Sequence, residues 1–259
     1  MRMMKKVLGT VTVLALSVSL LAGCGSTAAS PVSSAASTAA ESATSSVVSE
    51  TTSAAADENE AAAAQLLNDL TGSYQELWPV ILADEYKQTW LDDCTALVGE
   101  ENAEAAFEKL SSMVTSDVYG EDAVEAYANG GGAYFCGFTN SLATLTFDGE
   151  TSTISGTDKD GNVLFSHTYH YIGMEPVHGL YEFESDDADS GEFTYFFLAP
   201  DTSAETYHIE FRYGSDADAL SQYDAGDYAY WVASGISTDC DQTMIDNCIE
   251  LFCTENLAG

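Results

Sequence analysis

The feature that most constrains the fold is a change of period. After Gly130, Gly131 and Gly132 the apolar residues stop recurring every three or four positions and begin to alternate. The segments Tyr134 to Phe138, Leu142 to Phe147, Thr151 to Gly156 and Val163 to Ile172 read as successive strands. The Asp148-Gly149 and Asp160-Gly161 steps supply hairpin turns. Tyr181 to Glu184, Phe193 to Leu198 and Tyr207 to Gly214 complete a run of about seven strands with short connections. Such a run pairs antiparallel, and a sheet of that size relieves its exposed edges by curling. Before the glycines, residues 58–128 carry helical spacing. Leu66, Leu70, Tyr74, Leu77 and Ile81 form one face, interrupted at Gly72 and Pro79 into two pieces. Trp90, Leu91 and Leu97 continue to a stop at Gly99, Ala103 to Met113 forms another helix, and Glu121 to Ala128 a short one. After the strands comes an aromatic segment at Tyr228 to Val232. A closing helix then starts near Ser237, Thr238 and Asp239 and carries Met244, Ile245, Cys248, Ile249 and Phe252. The fold class is therefore α+β: N-terminal helices, an antiparallel meander curling into a barrel, and a C-terminal helix.

One strand carries the clearest chemistry. In Tyr207 to Gly214, alternation places Tyr207, Ile209, Phe211 and Tyr213 on one face and His208, Glu210 and Arg212 on the other. An imidazole and a carboxylate two residues apart project side by side, about 7 Å apart at their Cα atoms, close enough to share one metal ion. The same pattern also describes an ordinary half-buried strand with a polar outer face, and spacing alone leaves both readings open.

The N-terminus points to a compartment. Arg2, Lys5 and Lys6 precede an apolar run from Val7 to Leu21 that is too short for a membrane span and suits a signal peptide. It ends in Leu21, Ala22, Gly23 and Cys24, which looks like a bacterial lipobox. Residues 1–23 would then be removed and Cys24 acylated, anchoring the protein to the outer side of the cell membrane without crossing it. Residues 24–57, rich in Ser, Ala and Thr, lack the apolar content to build a core and read as a tether. This leaves residues 58–259 as one domain.

Seven basic residues oppose 42 acidic ones, for a formal charge of −35. Loss of Arg2, Lys5 and Lys6 leaves four against 42, or −38. A surface of that sign excludes nucleic acid as a partner and gathers cations weakly everywhere. Beyond Cys24 there are five cysteines, Cys94, Cys136, Cys240, Cys248 and Cys253, with no Cys-x-x-Cys pair, so neither a zinc ribbon nor a thioredoxin-type centre is indicated. Their pairing is not readable from spacing. Buried free thiols and one or two disulfides both remain open, although Cys248 and Cys253 are badly spaced to bridge each other on one helix.

Taken in order, several segments resemble the ZinT (YodA) family of extracytoplasmic zinc-binding proteins. Gly72, Tyr74, Leu77, Trp78, Pro79 and Ile81 keep the spacing of its Gly-x-Trp-x-x-Val-Tyr-Pro-x-Leu pattern with aromatic and aliphatic identities exchanged. Tyr169, Tyr171 and Gly173 resemble its Tyr-x-Tyr-x-Gly strand, and Tyr181, Phe183 and Glu184 its Tyr-x-Phe-Glu. The resemblance implies a lipocalin-like (calycin) barrel, capture of a divalent metal, foremost zinc, and delivery to a metal transporter. His208 and Gly214 fit the family's His-x-His-x-x-x-Gly, with Glu210 in place of the second histidine. Asp201 falls where a third histidine ends the preceding strand, if two residues are missing between the strands. The implied metal set is thus His208, Glu210 and Asp201 at the barrel mouth. One imidazole and two carboxylates form a harder set than three imidazoles, able to hold zinc but also manganese, iron or calcium. The family's histidine-rich loop and C-terminal histidine have no counterpart.

The remaining histidines carry less. His167 and His170 are three apart on one strand and face opposite ways, so they do not share an ion. His170 could turn into the barrel, and His178 sits in a turn where it could be exposed or serve as a fourth ligand. No His-Glu-x-x-His or Gly-x-Ser-x-Gly pattern is present, so the reading is a non-enzymatic binder. Eleven Phe, 14 Tyr and three Trp would equally furnish a metal-free, lipocalin-like pocket for a small organic ligand, the alternative to the metal site.

Overall fold

A computed structural model describes residues 58–200 and 208–258. The signal, the tether, Cys24, Asp201 and Tyr207 lie outside the described residues. The chain builds an eight-stranded, closed, up-and-down barrel in which each strand pairs antiparallel with its neighbour in sequence and β1 pairs with β8. This is the lipocalin-like architecture. The strands are β1 (Gly72–Glu76), β2 (Thr144–Asp148), β3 (Thr153–Thr157), β4 (Val163–Met174), β5 (Tyr181–Ser185), β6 (Tyr195–Leu198), β7 (Ile209–Gly214) and β8 (Ala233–Ser237). Helix α1 covers 58–69, followed by α2 (Leu77–Ile81), α3 (Lys87–Val98), α4 (Ala103–Ser112), α5 (Glu121–Ala128), α6 (Ala217–Leu220) and α7 (Gln242–Leu257). None of the helices among the described residues is long and apolar enough to cross a membrane.

Six of the anticipated strands, β2 to β7, fall within a few residues of their places, and the Asp-Gly turns hold as read. The Asp148 carboxylate accepts from the amides of Glu150 and Thr151, and that of Asp158 from Asp160 and Asn162. These local bonds satisfy the turn backbone and fix where each strand reverses. Gly99, with φ 85°, ends α3 as its spacing suggests.

Four expectations are corrected. The helical face through Tyr74 breaks at Gly72, whose φ of 147° favours glycine, and residues 72–76 form β1 instead. Tyr74 is the only apolar residue in that strand, so no alternation marks it; pairing on both sides decides its conformation. Pro79 lies in the first turn of α2, where its missing N–H costs nothing, so it does not break the chain. Tyr134 to Phe138 is not a strand: Phe135 makes single bridges to Thr115 and Trp231, and the segment runs beside the entry to β8. β8 itself, Ala-Ser-Gly-Ile-Ser, was not anticipated, and it ends at Ser237, where the closing helix was expected to begin. That helix starts later, at Gln242, with the Asp241 carboxylate capping the Met244 amide at 2.9 Å.

Two cores result. Inside the barrel, Phe147, Phe183, Phe196, Phe211, Tyr213 and Trp231 are almost wholly buried and pack in edge and stacked pairs across the interior. Outside it, α2, α3, α4 and α7 bury Trp78, Ile81, Trp90, Leu110 and Ile249 against Ile236 of β8. The Trp90 indole donates to the Ile81 carbonyl at 2.7 Å and ties α3 to the end of α2.

Helix α1 places Ala63, Leu66 and Leu67 in the barrel core. It lies directly on the β2–β3 turn, so close that a Cβ at Gly149 would come 2.4 Å from Asn68 Cα and 2.5 Å from the Leu67 carbonyl oxygen. Both obstacles are backbone, and neither has a rotamer to give. Gly149→Ala is therefore expected to push α1 off its seat and cost on the order of 1–3 kcal/mol, read as a lower urea midpoint of the chain.

Candidate metal centre

β7 holds the two functional faces predicted for it. Ile209, Phe211 and Tyr213 point into the barrel and are buried, with Phe211 against Phe138 and Phe196, and Tyr213 against Trp231. His208, Glu210 and Arg212 therefore face outward. The register repeats this, because Glu210 stands opposite Ser234 and Arg212 opposite Phe197, both on the outer wall.

The outer face runs from closed to open along the strand. Arg212 is fully buried beneath the segment 217–228. Its guanidinium donates to the carbonyls of Leu220 and Tyr228 and, at 3.3 Å, of Gln222, and it lies 4.2 Å from the Tyr223 ring. Burial pushes its pKa down, while Tyr223 acts the other way. The carbonyl of Leu220 closes the short helix α6, so the cation sits where the helix dipole favours it. Glu210, by contrast, is half exposed, and His208 is largely covered.

His208 and Glu210 do come together. Imidazole Nε2 lies 3.9 Å from the Glu210 Oε1 atom. Two ligands on a tetrahedral zinc, each about 2.05 Å from the ion, stand roughly 3.3 Å apart. The observed separation closes to that value with a small side-chain rotation, so the pair fits a shared ion. A zinc site takes four donors. Among the described residues no three His, Cys, Asp or Glu side chains converge on one point, and Asp201 lies outside them. The pair is on the outer wall at the start of β7, not inside the lumen.

Two thiols lie near the carboxylate. Burial, with the charge of Glu210 adding to it, pushes Cys136 and Cys248 up to about 12. Both are consequently protonated at neutral pH and are poor ligands as they stand.

The other histidines have separate partners. His167 faces the barrel end beside Phe165 and Tyr169 and pairs with Asp187 at 2.7 Å. His170 points outward, exposed, 2.8 Å from Asp186 rather than into the barrel. The two face opposite ways, as alternation requires. His178 packs on Tyr223 with ring centroids 3.7 Å apart and lies 3.6 Å from the fully buried carboxylate of Glu175, which also accepts from the amides of Val177 and His178. It belongs with the Arg212 cluster. Nothing in the sequence marked that cluster beyond Arg212 being the one arginine after Arg2.

No family model matches the chain. No curated protein matches it either. Among solved structures, it is similar to the zinc-bound ZinT-like domain of AdcA from Streptococcus pneumoniae, at 15% identity and a TM-score of 0.45, over 71% of this chain and 89% of that one. It is also similar to the zinc-bound AdcA of Streptococcus pneumoniae, at 14% identity and a TM-score of 0.43, over 72% of this chain and 35% of that one. The chain thus spans about a third of the longer protein. Both are distant likenesses.

Truncation at Arg212 would leave three buried carbonyls without their donor. Arg212→Ala is expected to cost about 3 kcal/mol or more in urea unfolding, with Arg212→Lys recovering only part because an ammonium cannot span the same carbonyls.

Proposed function

We propose that this domain captures a divalent metal ion, foremost zinc, through His208 and Glu210, with Asp201 as a third ligand, and is a relative of the ZinT family. The observation that carries the reading is the His208–Glu210 pair, held at 3.9 Å by neighbouring outward positions at the start of one strand. The ordered sequence resemblance gives that pair its context. The ion is cargo: a non-enzymatic protein holds it outside the cytoplasm and passes it to a metal transporter. Acylated Cys24 anchors the chain to the membrane, and residues 24–57 link the anchor to the domain.

Calorimetric titration of the chelator-stripped full chain with zinc is expected to give one saturable site. His208→Ala and Glu210→Ala should each weaken it at least tenfold, and Asp201→Ala should weaken it if that carboxylate completes the set. Absence of saturable binding in the parent, or an unchanged affinity in His208→Ala, ends the reading. Independently, Cys24→Ala is expected to move the protein from the membrane fraction to the soluble fraction of producing cells.

A further inference from the structure

Five cysteines lie within or beside the outer, helical core, all as free thiols. Two of them stand apart from the rest. Cys94, on α3, and Cys253, on α7, are both fully buried, and their Sγ atoms meet at 4.0 Å across the contact between these helices, 159 residues apart in sequence. A disulfide needs its sulfurs at about 2.05 Å. Each sulfur swings on a single rotatable bond, so the sulfurs start within about 2 Å of bonding distance.

We propose that Cys94 and Cys253 are a disulfide pair, the covalent tie between α3 and α7. This stands on the packing of the two helices and is independent of the metal reading. The chemistry needs a two-electron oxidant, a small-molecule or protein disulfide. A thiolate of one cysteine attacks that disulfide, displacing one thiol and forming a mixed disulfide. The second cysteine, as thiolate, attacks the cysteine sulfur of the mixed disulfide and displaces the other thiol. The two cysteines lose two electrons and two protons, and the oxidant is reduced to two thiols.

The choice among the five follows from place. Cys248 and Cys253 lie on one helix, five residues apart, and Cys136 is held in the wall beside Ser234. Burial raises the pKa of both Cys94 and Cys253, with the nearby Asp93 charge adding to it. Exchange in the folded protein is consequently slow, and the bond belongs to folding, when α3 and α7 first meet. It would close a loop of more than half the chain, where restraint on the unfolded state is large.

The test refolds the full chain from a reduced, unfolded state in a mixture of reduced and oxidised glutathione. Peptide mapping without reductant is expected to find the Cys94 and Cys253 peptides joined, lighter by two hydrogens, with Cys136, Cys240 and Cys248 open to alkylation once the chain is unfolded. The oxidised chain should show an unfolding constant roughly 30- to 1,000-fold smaller than the reduced one. Cys94→Ala should erase that difference and Cys240→Ala should leave it. Joined peptides of any other pair, glutathione retained on either cysteine, or Cys94 and Cys253 both open to alkylation after refolding would overturn the assignment. The peptide map on the parent chain decides the matter even where a variant does not fold.

Discussion

Pairing of β1 with β8 is the constraint on which the rest of the molecule depends. Tyr74 meets Ser237, Gln75 meets Ile236 and Glu76 meets Gly235, and with those bonds the last two free edges of the sheet disappear. A closed wall has an inside and an outside that differ in kind. The inside collects aromatic rings. The outside is available as a floor for other elements, and the helical core is laid on it through Ile236. Closure also explains the composition of β8, whose inward residues Ala233 and Gly235 are small. A Cβ at Gly235 would come 2.9 Å from the Ile209 side chain, so a larger residue there would have to displace that side chain in the core.

The candidate metal centre inherits its geometry from the same wall. Because Phe211 and Tyr213 are locked inside, β7 cannot slide by one residue without turning its aromatics into the solvent and its arginine into the barrel. Arg212, bound to carbonyls of the covering segment, reinforces that register from outside. His208 and Glu210 are carried along on the outer face, so the strand fixes where the two side chains start while their rotamers set the distance between their tips. The buried arginine thus ties β7 to the segment that covers it. It gives up solvation for hydrogen bonds and a ring face, which is tolerable for guanidinium because it is weakly hydrated and always charged.

Much of this was legible in the sequence where the local pattern and the tertiary environment agree. Strands β2 to β5 and β7 alternate, and β6 is a short continuous apolar run, so they could be read one by one. The faces of β7 followed from spacing alone, and with them the His208–Glu210 neighbourhood. β1 and β8 could not be found this way. One has a single apolar residue and the other is built of small ones, and both are strands because two partners demand it. The helical core was visible as periodicity in α3, α4 and α7, but the meeting of Cys94 with Cys253 was not, since spacing along the chain says nothing about which helices touch. The Arg212 cluster was hidden for a related reason: an arginine on an outward face reads as solvated until a later segment folds over it.

The donor chemistry bears on which ions such a site could separate. A formal charge of −35 draws every cation toward the surface, but that attraction is screened within about 8 Å at physiological ionic strength and does not distinguish zinc from calcium. Discrimination has to come from the atoms in contact. Carboxylate oxygen suits the hard ions as well as zinc, whereas imidazole nitrogen favours zinc and its late first-row neighbours. The softer alternative, thiolate, is close by at Cys136 and Cys248, yet burial holds both near a pKa of about 12 and keeps their protons on at neutral pH. The preference for zinc would therefore rest on His208 alone, with Glu210 supplying charge and affinity more than selectivity. A strand that kept the glutamate and lost the imidazole would still attract cations, but it would no longer choose among them.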